Sequence, residues 1–212
     1  MYRRIRKLKG YWIFWSDCLC DAFSFEPIAV NQKQNIIKIN RAPVLTLWAT
    51  VVAERLGFTE DEALSLGKAV AGLTAQSKGR RIGIFKPHEE KPHKAREKER
   101  GEEFWIEVCS RHIPAKNTED GIRAVKSAKP IDPAGVRRYL QTKFADDLDR
   151  GRKAMQKLAK AFKPKELSEV AFNLYEQFRP VIPDGVGGWG AKGDLDLGVI
   201  ASLGKDSDSG KD

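Results

Sequence analysis

The sequence predicts an α+β protein, mainly α, in which a helix-turn-helix-like unit with a β-hairpin is followed by a helical domain. Apolar residues recur at helical spacing along residues 43–56, and again in several segments after residue 130. A glycine and a capping box separate the first of these helices from a second one. Period-2 alternation after residue 103 indicates a strand.

The first helix is predicted to begin at Pro43, because proline lacks the N–H group that the first helical turn leaves unpaired. Gly57 ends it, since glycine enters the left-handed conformation at little cost. Its apolar side chains form one stripe that must be buried. The stripe consists of Val44, Leu47, Trp48, Val51, Val52 and Leu56.

The second helix begins with a capping box, in which the Thr59 hydroxyl accepts from a helical amide and Glu62 accepts from the Thr59 amide. Gly67 and Gly72 each cost a helix interior about 1 kcal/mol relative to alanine. We therefore expect close packing, or contact with a ligand backbone, at these glycines. Small residues recur four apart along the helix, at Ala63, Gly67, Ala71 and Ala75.

The second helix ends in the basic segment SKGRR at residues 77–81. Such cations suit the negative end of the helix dipole and equally suit phosphate oxygens, so both interpretations stay open. The acidic first turn of the helix would repel phosphates, and contacts to nucleic acid would therefore fall to its later turns. The candidate contacts, mainly to phosphates, are Lys68, Gln76, Lys78, Arg80 and Arg81.

Two strands are predicted, at residues 82–85 and 104–113, and the charged segment between them would form the tip of a wing. The order of helix, turn, helix and wing resembles that of winged helix-turn-helix proteins, which bind duplex DNA. A recognition helix usually offers its N-terminal residues to the bases, so the acidic first turn of this helix departs from the motif, and contact with DNA would use the later turns and the basic end.

From Thr118 onward the sequence predicts helices. A short helix opens at Thr118 and contains Ile122. Asp132 caps the next helix, which has a proline at its first position. Two more helices cover residues 146–162 and 164–178, and a proline separates them.

Residues 185–193 form a glycine-rich segment that invites comparison with a phosphate-binding loop. The P-loop pattern requires lysine and then serine or threonine directly after its last glycine, in a loop that follows a strand. Ala191 and Gly193 break this pattern, so a tight loop anchored by Trp189 is the preferred interpretation. No cofactor is predicted.

Cys18, Cys20 and Cys109 provide no disulfide framework, and their odd number suits a reducing cytoplasm. The spacing of the histidines and of one cysteine fits no specific zinc motif, so neither a metal nor a catalytic residue is predicted. The four residues with zinc-ligand chemistry are His88, His93, Cys109 and His112.

The chain of 212 residues has a formal net charge of +9. Residues 30–81, which contain the helix pair, are the most basic portion for their length, with eight basic and four acidic side chains. A positive surface there favours polyanions such as nucleic acid.

Residues 1–29 are basic and then aromatic-rich, but acidic residues interrupt the apolar run and no signal-peptide cleavage site follows. Two interpretations stand: a genuine extension, or translation from an upstream start with Val30 as the natural first residue. Mass determination of the native N-terminus distinguishes them. The predicted organisation is an extension (1–29), a helix-turn-helix-like unit with a β-hairpin (30–115), a helical domain (116–204) and a disordered tail (205–212).

Residues 41–85, 175–180 (YEQFRP) and 189–193 (WGAKG) resemble an uncharacterised family of small bacterial proteins, over roughly residues 36–203. The resemblance implies a bacterial, cytoplasmic protein. No activity is known for that family, so the resemblance assigns no functional residue.

These observations favour a nucleic-acid-binding protein, with duplex DNA as its partner and a regulatory role. The alternative is a protein-interaction module without nucleic-acid binding, in which Trp48 and the small residues of the second helix pack against another protein or a second copy. An enzyme that uses the glycine-rich loop is a third and less favoured class. No membrane partner is expected, because no apolar run is long enough to span a bilayer.

Overall fold

The computed structural model describes residues 35–81, 103–186 and 190–206, and residues from Asn35 onward belong to one unit. The predicted fold class is confirmed, since helices dominate and small antiparallel sheets complete the fold. The described helices are α1 (Arg41–Arg55), α2 (Glu60–Arg81), α3 (Pro133–Phe144), α4 (Leu148–Lys160), α5 (Pro164–Phe178) and α6 (Leu197–Asp206). The described strands are β1 (Ile36–Ile39), β2 (Phe104–Val108), β3 (Arg111–Thr118), β4 (Gly121–Lys126), β5 (Lys129–Pro130) and β6 (Gly193–Asp196).

Helix α1 is buried on every side from Pro43 to Ala53, and α2, α3, α4 and α5 all pack against it. A helix that is buried all round occupies the centre of a protein, so the single stripe that the sequence predicts is too narrow. Trp48 illustrates this position. Its indole N–H donates to the Ala171 carbonyl oxygen at 2.8 Å, and its ring meets the Phe178 ring edge-on, with the centroids 5.3 Å apart.

Gly67 lets the backbones of α1 and α2 come close together. A Cβ atom built on Gly67 would lie 2.6 Å from the Thr46 carbonyl oxygen and 2.9 Å from the Thr50 amide nitrogen. No side chain fits in that space, so the close packing predicted for Gly67 is confirmed. Gly72 is exposed, and no described atom would come within 4 Å of a Cβ there, so close packing does not explain it.

The residues predicted as one strand, 104–113, form a hairpin instead. β2 and β3 pair antiparallel, and the chain reverses at Cys109 and Ser110, whose φ angles are 51° and 54°. Two consecutive positive φ angles define a tight turn that favours glycine and asparagine. The sequence has cysteine and serine at these positions, so it gives no indication of a turn there. The strand predicted at residues 82–85, and the wing it would form, lie outside the described residues.

The helix predicted at Thr118 is wrong, because these residues form two strands. β3 ends at Thr118 and β4 begins at Gly121, whose φ of 103° suits glycine.

Glu62 accepts hydrogen bonds from the Ile122 amide at 2.8 Å and from the Thr59 amide at 2.9 Å. The capping contact predicted for Glu62 is thus confirmed, and the same carboxylate holds β4 on α2. The Ile122 amide is the main cause that lowers the pKa of Glu62.

The other predicted helices are present as α3, α4 and α5. Asp132 caps α3 by accepting from the amides of Ala134 and Gly135, at 3.0 and 2.9 Å. A short 3₁₀ turn precedes α4, and Pro164 begins α5 as the sequence predicts. A side-chain cap therefore marks the start of α3 and a proline marks the start of α5.

The hydrophobic core takes side chains from all six described helices. Helices before and after residue 115 therefore share one core. The four-stranded sheet has the order β2-β3-β4-β5, and β1 pairs with β6 in a separate two-stranded sheet. None of the described helices combines the length and apolar character that a membrane crossing requires.

Candidate functional site

A cleft of about 710 Å³ lies between α1, α2, β3 and α5 and is bordered by the loop that leads to β6. Pockets that bind small molecules have volumes of about 300–1,000 Å³. The cleft is therefore large enough for an organic ligand. Six of the eight described apolar residues that line it are here called the floor: Leu45, Ala71, Ala75, Phe172, Tyr175 and Ile182.

Among the described residues, five cationic side chains line the same cleft, against one carboxylate, that of Glu176. They come from α1, α2, β3 and the end of α5, so only folding brings them together. The local excess of four positive charges attracts anions, because a cleft with low-dielectric walls focuses the electric field. The five cations are Arg41, Lys78, Arg81, Arg111 and Arg179.

Arg41 is joined to α5 and the residues after it at two points. Its Nε donates to the Pro180 carbonyl oxygen at 3.0 Å, and its own carbonyl oxygen accepts from the Tyr175 hydroxyl at 3.2 Å. Burial raises the pKa of Tyr175, so the hydroxyl keeps its proton and continues to donate. The guanidinium of Arg41 is thereby held at the start of α1, beside the cleft.

Arg111 and Arg179 make contacts that leave their charges available to an anion. The Arg111 guanidinium carbon lies 5.2 Å from the centroid of the Phe172 ring, a cation–π contact that does not neutralise the charge. Arg179 pairs with Glu176 at 2.7 Å, and the two side chains are 41% and 39% exposed. Because exposed ion pairs contribute about 0–1 kcal/mol, an incoming phosphate can replace Glu176 at Arg179.

Lys78 and Arg81 are the two predicted contacts that the structure brings into the cleft. Both side chains are exposed, and neither makes an ion pair or a hydrogen bond with another described residue. They stand one helical turn apart near the end of α2. An anion can therefore bind them without breaking a contact to the described part of the chain.

The other predicted contacts lie elsewhere or cannot be located. Gln76 is exposed on α2 but does not line the cleft, and the side chain of Arg80 lies outside the description. Lys68 packs on α3, with its Nζ atom 3.6 Å from the centroid of the Tyr139 ring. Burial is the main cause that lowers the pKa of Lys68. Of the four predicted contacts whose side chains the structure describes, two thus meet in the cleft.

Sequence reasoning missed Arg41, Arg111 and Arg179, because each is an isolated cation in its own segment. The one local signal was the segment 175–180, which forms part of the resemblance to the bacterial family. Three of its six residues line the cleft, including Arg179.

Thr74 adds an unusual polar group to the lining of the cleft. Its hydroxyl oxygen is buried and has no hydrogen-bond partner among the described residues. Thr46 and Thr50 differ, since each donates its hydroxyl hydrogen to the carbonyl oxygen four residues earlier, at 2.9 Å. An unpaired buried hydroxyl costs about 1–3 kcal/mol, so a polar group of a ligand that reached the Thr74 hydroxyl would remove this cost.

Ion pairs occupy the N-terminal end of α2, the end that a recognition helix offers to DNA bases. Arg152 of α4 binds Glu54 at 2.6 Å and Glu60 at 3.3 Å, and Arg137 of α3 binds Asp61 at 3.1 Å. Burial raises the pKa of Glu54, and the nearby Arg152 opposes this rise. The first turn of α2 is therefore acidic and pairs with arginines of α3 and α4.

Part of the glycine-rich segment borders the cleft. The Gly190 carbonyl oxygen accepts a hydrogen bond from the Asn40 side chain at 2.9 Å, and Ala191 contributes to the lining. The predicted anchoring of Trp189 falls outside the described residues. This segment thus contributes backbone to one side of the cleft.

Within the described ranges, no group of three or more histidine, cysteine, aspartate or glutamate side chains is arranged to hold a metal ion. Cys109 is a free, buried thiol, and burial raises its pKa to about 12. Such a thiol is a poor nucleophile, because the thiolate is the reactive form. His88 and His93 lie outside the described residues.

Comparisons with protein-family models, curated proteins and solved structures produce no match to this chain. The fold and the cleft define the protein only by class: a mainly α, α+β protein with a cation-lined cleft over an apolar floor. Its function must therefore be argued from the geometry of that cleft.

Proposed function

We propose that the protein binds nucleic acid through the cation-lined cleft, with phosphate oxygens as the main contacts. The observation that carries this proposal is the excess of four positive charges in the cleft, where Lys78 and Arg81 make no ion pair with the described residues. Arginine and lysine are the side chains that bind phosphate, and clustered cations attract polyanions.

The shape of the site favours a single strand of nucleic acid that enters the cleft, rather than a protein helix that enters a groove of duplex DNA. A recognition helix projects its N-terminal turn into the major groove, whereas Arg137 and Arg152 engage that turn of α2. Regulatory binding of duplex DNA stays a prediction, with contacts limited to the later turns of α2 and the cations around the cleft. A bacterial cytoplasm is the compartment that we propose, consistent with the free thiol of Cys109.

The protein-interaction alternative gains no support from Trp48. Under this alternative, the Trp48 side chain would pack against another protein. It is instead fully buried between α1 and α5. A partner protein would have to bind another part of the chain.

Fluorescence anisotropy tests the proposal, with the full chain titrated into labelled single-stranded and duplex DNA at about 50 and 200 mM salt. Binding should weaken steeply with salt. The double variant Lys78→Ala/Arg81→Ala should bind less tightly, and its plot of log affinity against log salt should flatten by about 1.4 for single strands, since two phosphate contacts are lost.

The matched control is Lys153→Ala/Lys157→Ala, which removes two exposed lysines of α4 outside the cleft. It changes the net charge by the same amount and should alter affinity far less. If neither strand nor duplex binds at low salt, or if both double variants weaken binding equally, the proposal fails.

A further inference from the structure

The positive charge explains an attraction for phosphate but leaves the apolar floor without a role. A surface that binds phosphates alone needs cationic side chains and N–H or O–H donors, and it needs no concave apolar lining. The floor offers six apolar side chains inside a cleft of about 710 Å³. A ligand that uses the whole cleft must therefore carry both an anionic part and a flat or compact apolar part.

Phe172 gives the floor a surface suited to a planar group. Its ring lies 5.2 Å from the Arg111 guanidinium carbon and 6.1 Å from the Tyr175 ring centroid. Bases stack on aromatic rings and on guanidinium planes in sites that take single strands. A planar base fits such a floor better than an alkyl chain does, because it stacks on both kinds of group.

Thr74 supplies a polar atom inside this apolar lining. Its hydroxyl has no partner among the described residues, so it is able to pair with the polar edge of a bound ligand. A base carries hydrogen-bonding groups along its edge, whereas a hydrocarbon chain has none. The unpaired hydroxyl therefore favours a base over a fatty acid as the occupant.

We infer that the cleft receives an unpaired base of a single-stranded nucleic acid, with the base on the floor beside Phe172 and its neighbouring phosphates at Lys78 and Arg81. This inference rests on the proposed function and narrows it to single strands. The same chemistry is present in a free nucleotide, so the experiment must separate the two sources.

The test compares a short oligothymidine with a fully abasic strand that has the same number of phosphates, each titrated with the full chain. Stacking of one base corresponds to about 5- to 150-fold in affinity, so the abasic strand should bind more weakly by a factor in that range. Thr74→Val should narrow this difference in affinity between the two strands. Phe172→Leu should narrow it too, and it is judged by the ratio of the two affinities, because Phe172 also contacts Arg111 and its loss can weaken binding of both strands. Two variants are used because Phe172 also packs against the core.

Trp105→Ala is the matched control, since Trp105 is 58% exposed and does not line the cleft. It should leave the difference between the two strands unchanged. Equal affinity of the native protein for both strands would overturn the inference while the proposed function stands, whereas absence of binding to either would overturn both. Thymidine monophosphate that binds as tightly as the strand would assign the cleft to a free nucleotide and overturn the single-strand inference.

Discussion

Replacing Gly67 with alanine should force α1 and α2 apart. The new Cβ atom would meet the Thr46 carbonyl oxygen at 2.6 Å, and an ordinary contact begins near 3.4 Å, so the helices must separate by about 0.8 Å there. The obstacle is helix backbone on α1, which cannot rotate away as a side chain can. Overpacking costs about 1–3 kcal/mol. Because backbone of a buried helix must move here, we expect the upper part of that range, about 2–3 kcal/mol, and the better helix propensity of alanine returns about 1 kcal/mol.

The expected result for Gly67→Ala is a net loss of about 1–2 kcal/mol in the free energy of unfolding. In a chain of this size that corresponds to a fall in Tm of about 2–8 °C. Urea unfolding followed by far-UV circular dichroism measures the change.

Gly72→Ala is the control, because it makes the same substitution in the same helix without a described neighbour within 4 Å. It should stabilise the protein by about 1 kcal/mol through helix propensity alone. The opposite signs of the two variants are the decisive observation. If Gly67→Ala proves as stable as the native protein, α1 and α2 do not approach as closely as described.

Two further predictions concern single polar groups. Glu62→Gln should destabilise the protein by about 1 kcal/mol at neutral pH, because the charged acceptor of the Ile122 amide is lost. Folding lowers the pKa of Glu62, so the charged carboxylate stabilises the folded protein fully above the ordinary pKa of 4.5. This stabilisation is lost as the pH falls through the lowered pKa. The free energies of unfolding of the variant and the native protein should therefore become equal in acid. Glu169→Gln, at an exposed position, is the control and should change the free energy of unfolding little at neutral pH. Thr74→Val should raise the free energy of unfolding by about 1 kcal/mol, since it removes an unpaired buried hydroxyl. The control, Thr46→Val, should lower the free energy of unfolding, because the Thr46 hydroxyl is hydrogen-bonded. A Thr74→Val protein less stable than the native one would show that the Thr74 hydroxyl has a partner.

The helices could be predicted where their signals are local. The Asp132 cap and Pro164 mark the beginnings of α3 and α5, and both act within a few residues of chain. β4 could not be predicted in this way. Its start resembles a helix cap, and it is held as a strand by Glu62, sixty residues earlier in the sequence.

The candidate site was only partly predictable for the same reason. Lys78 and Arg81 are neighbours in a visibly basic segment, so composition alone draws attention to them. Arg41, Arg111 and Arg179 are separated by long stretches of chain and meet only through the packing of α1, β3 and α5. Charge clustering in a sequence therefore reveals one side of this cleft and not the other.

The contact between Glu62 and β4 has a consequence for selectivity. It joins the four-stranded sheet to α2, and the cations of the cleft stand on both parts, with Arg111 on β3 and Lys78 and Arg81 on α2. The backbone segments that carry these cations are thereby held relative to one another before any ligand arrives, and such preorganisation reduces the entropy lost on binding. A ligand whose anionic groups match the spacing of these segments should be preferred over one of equal charge and different geometry.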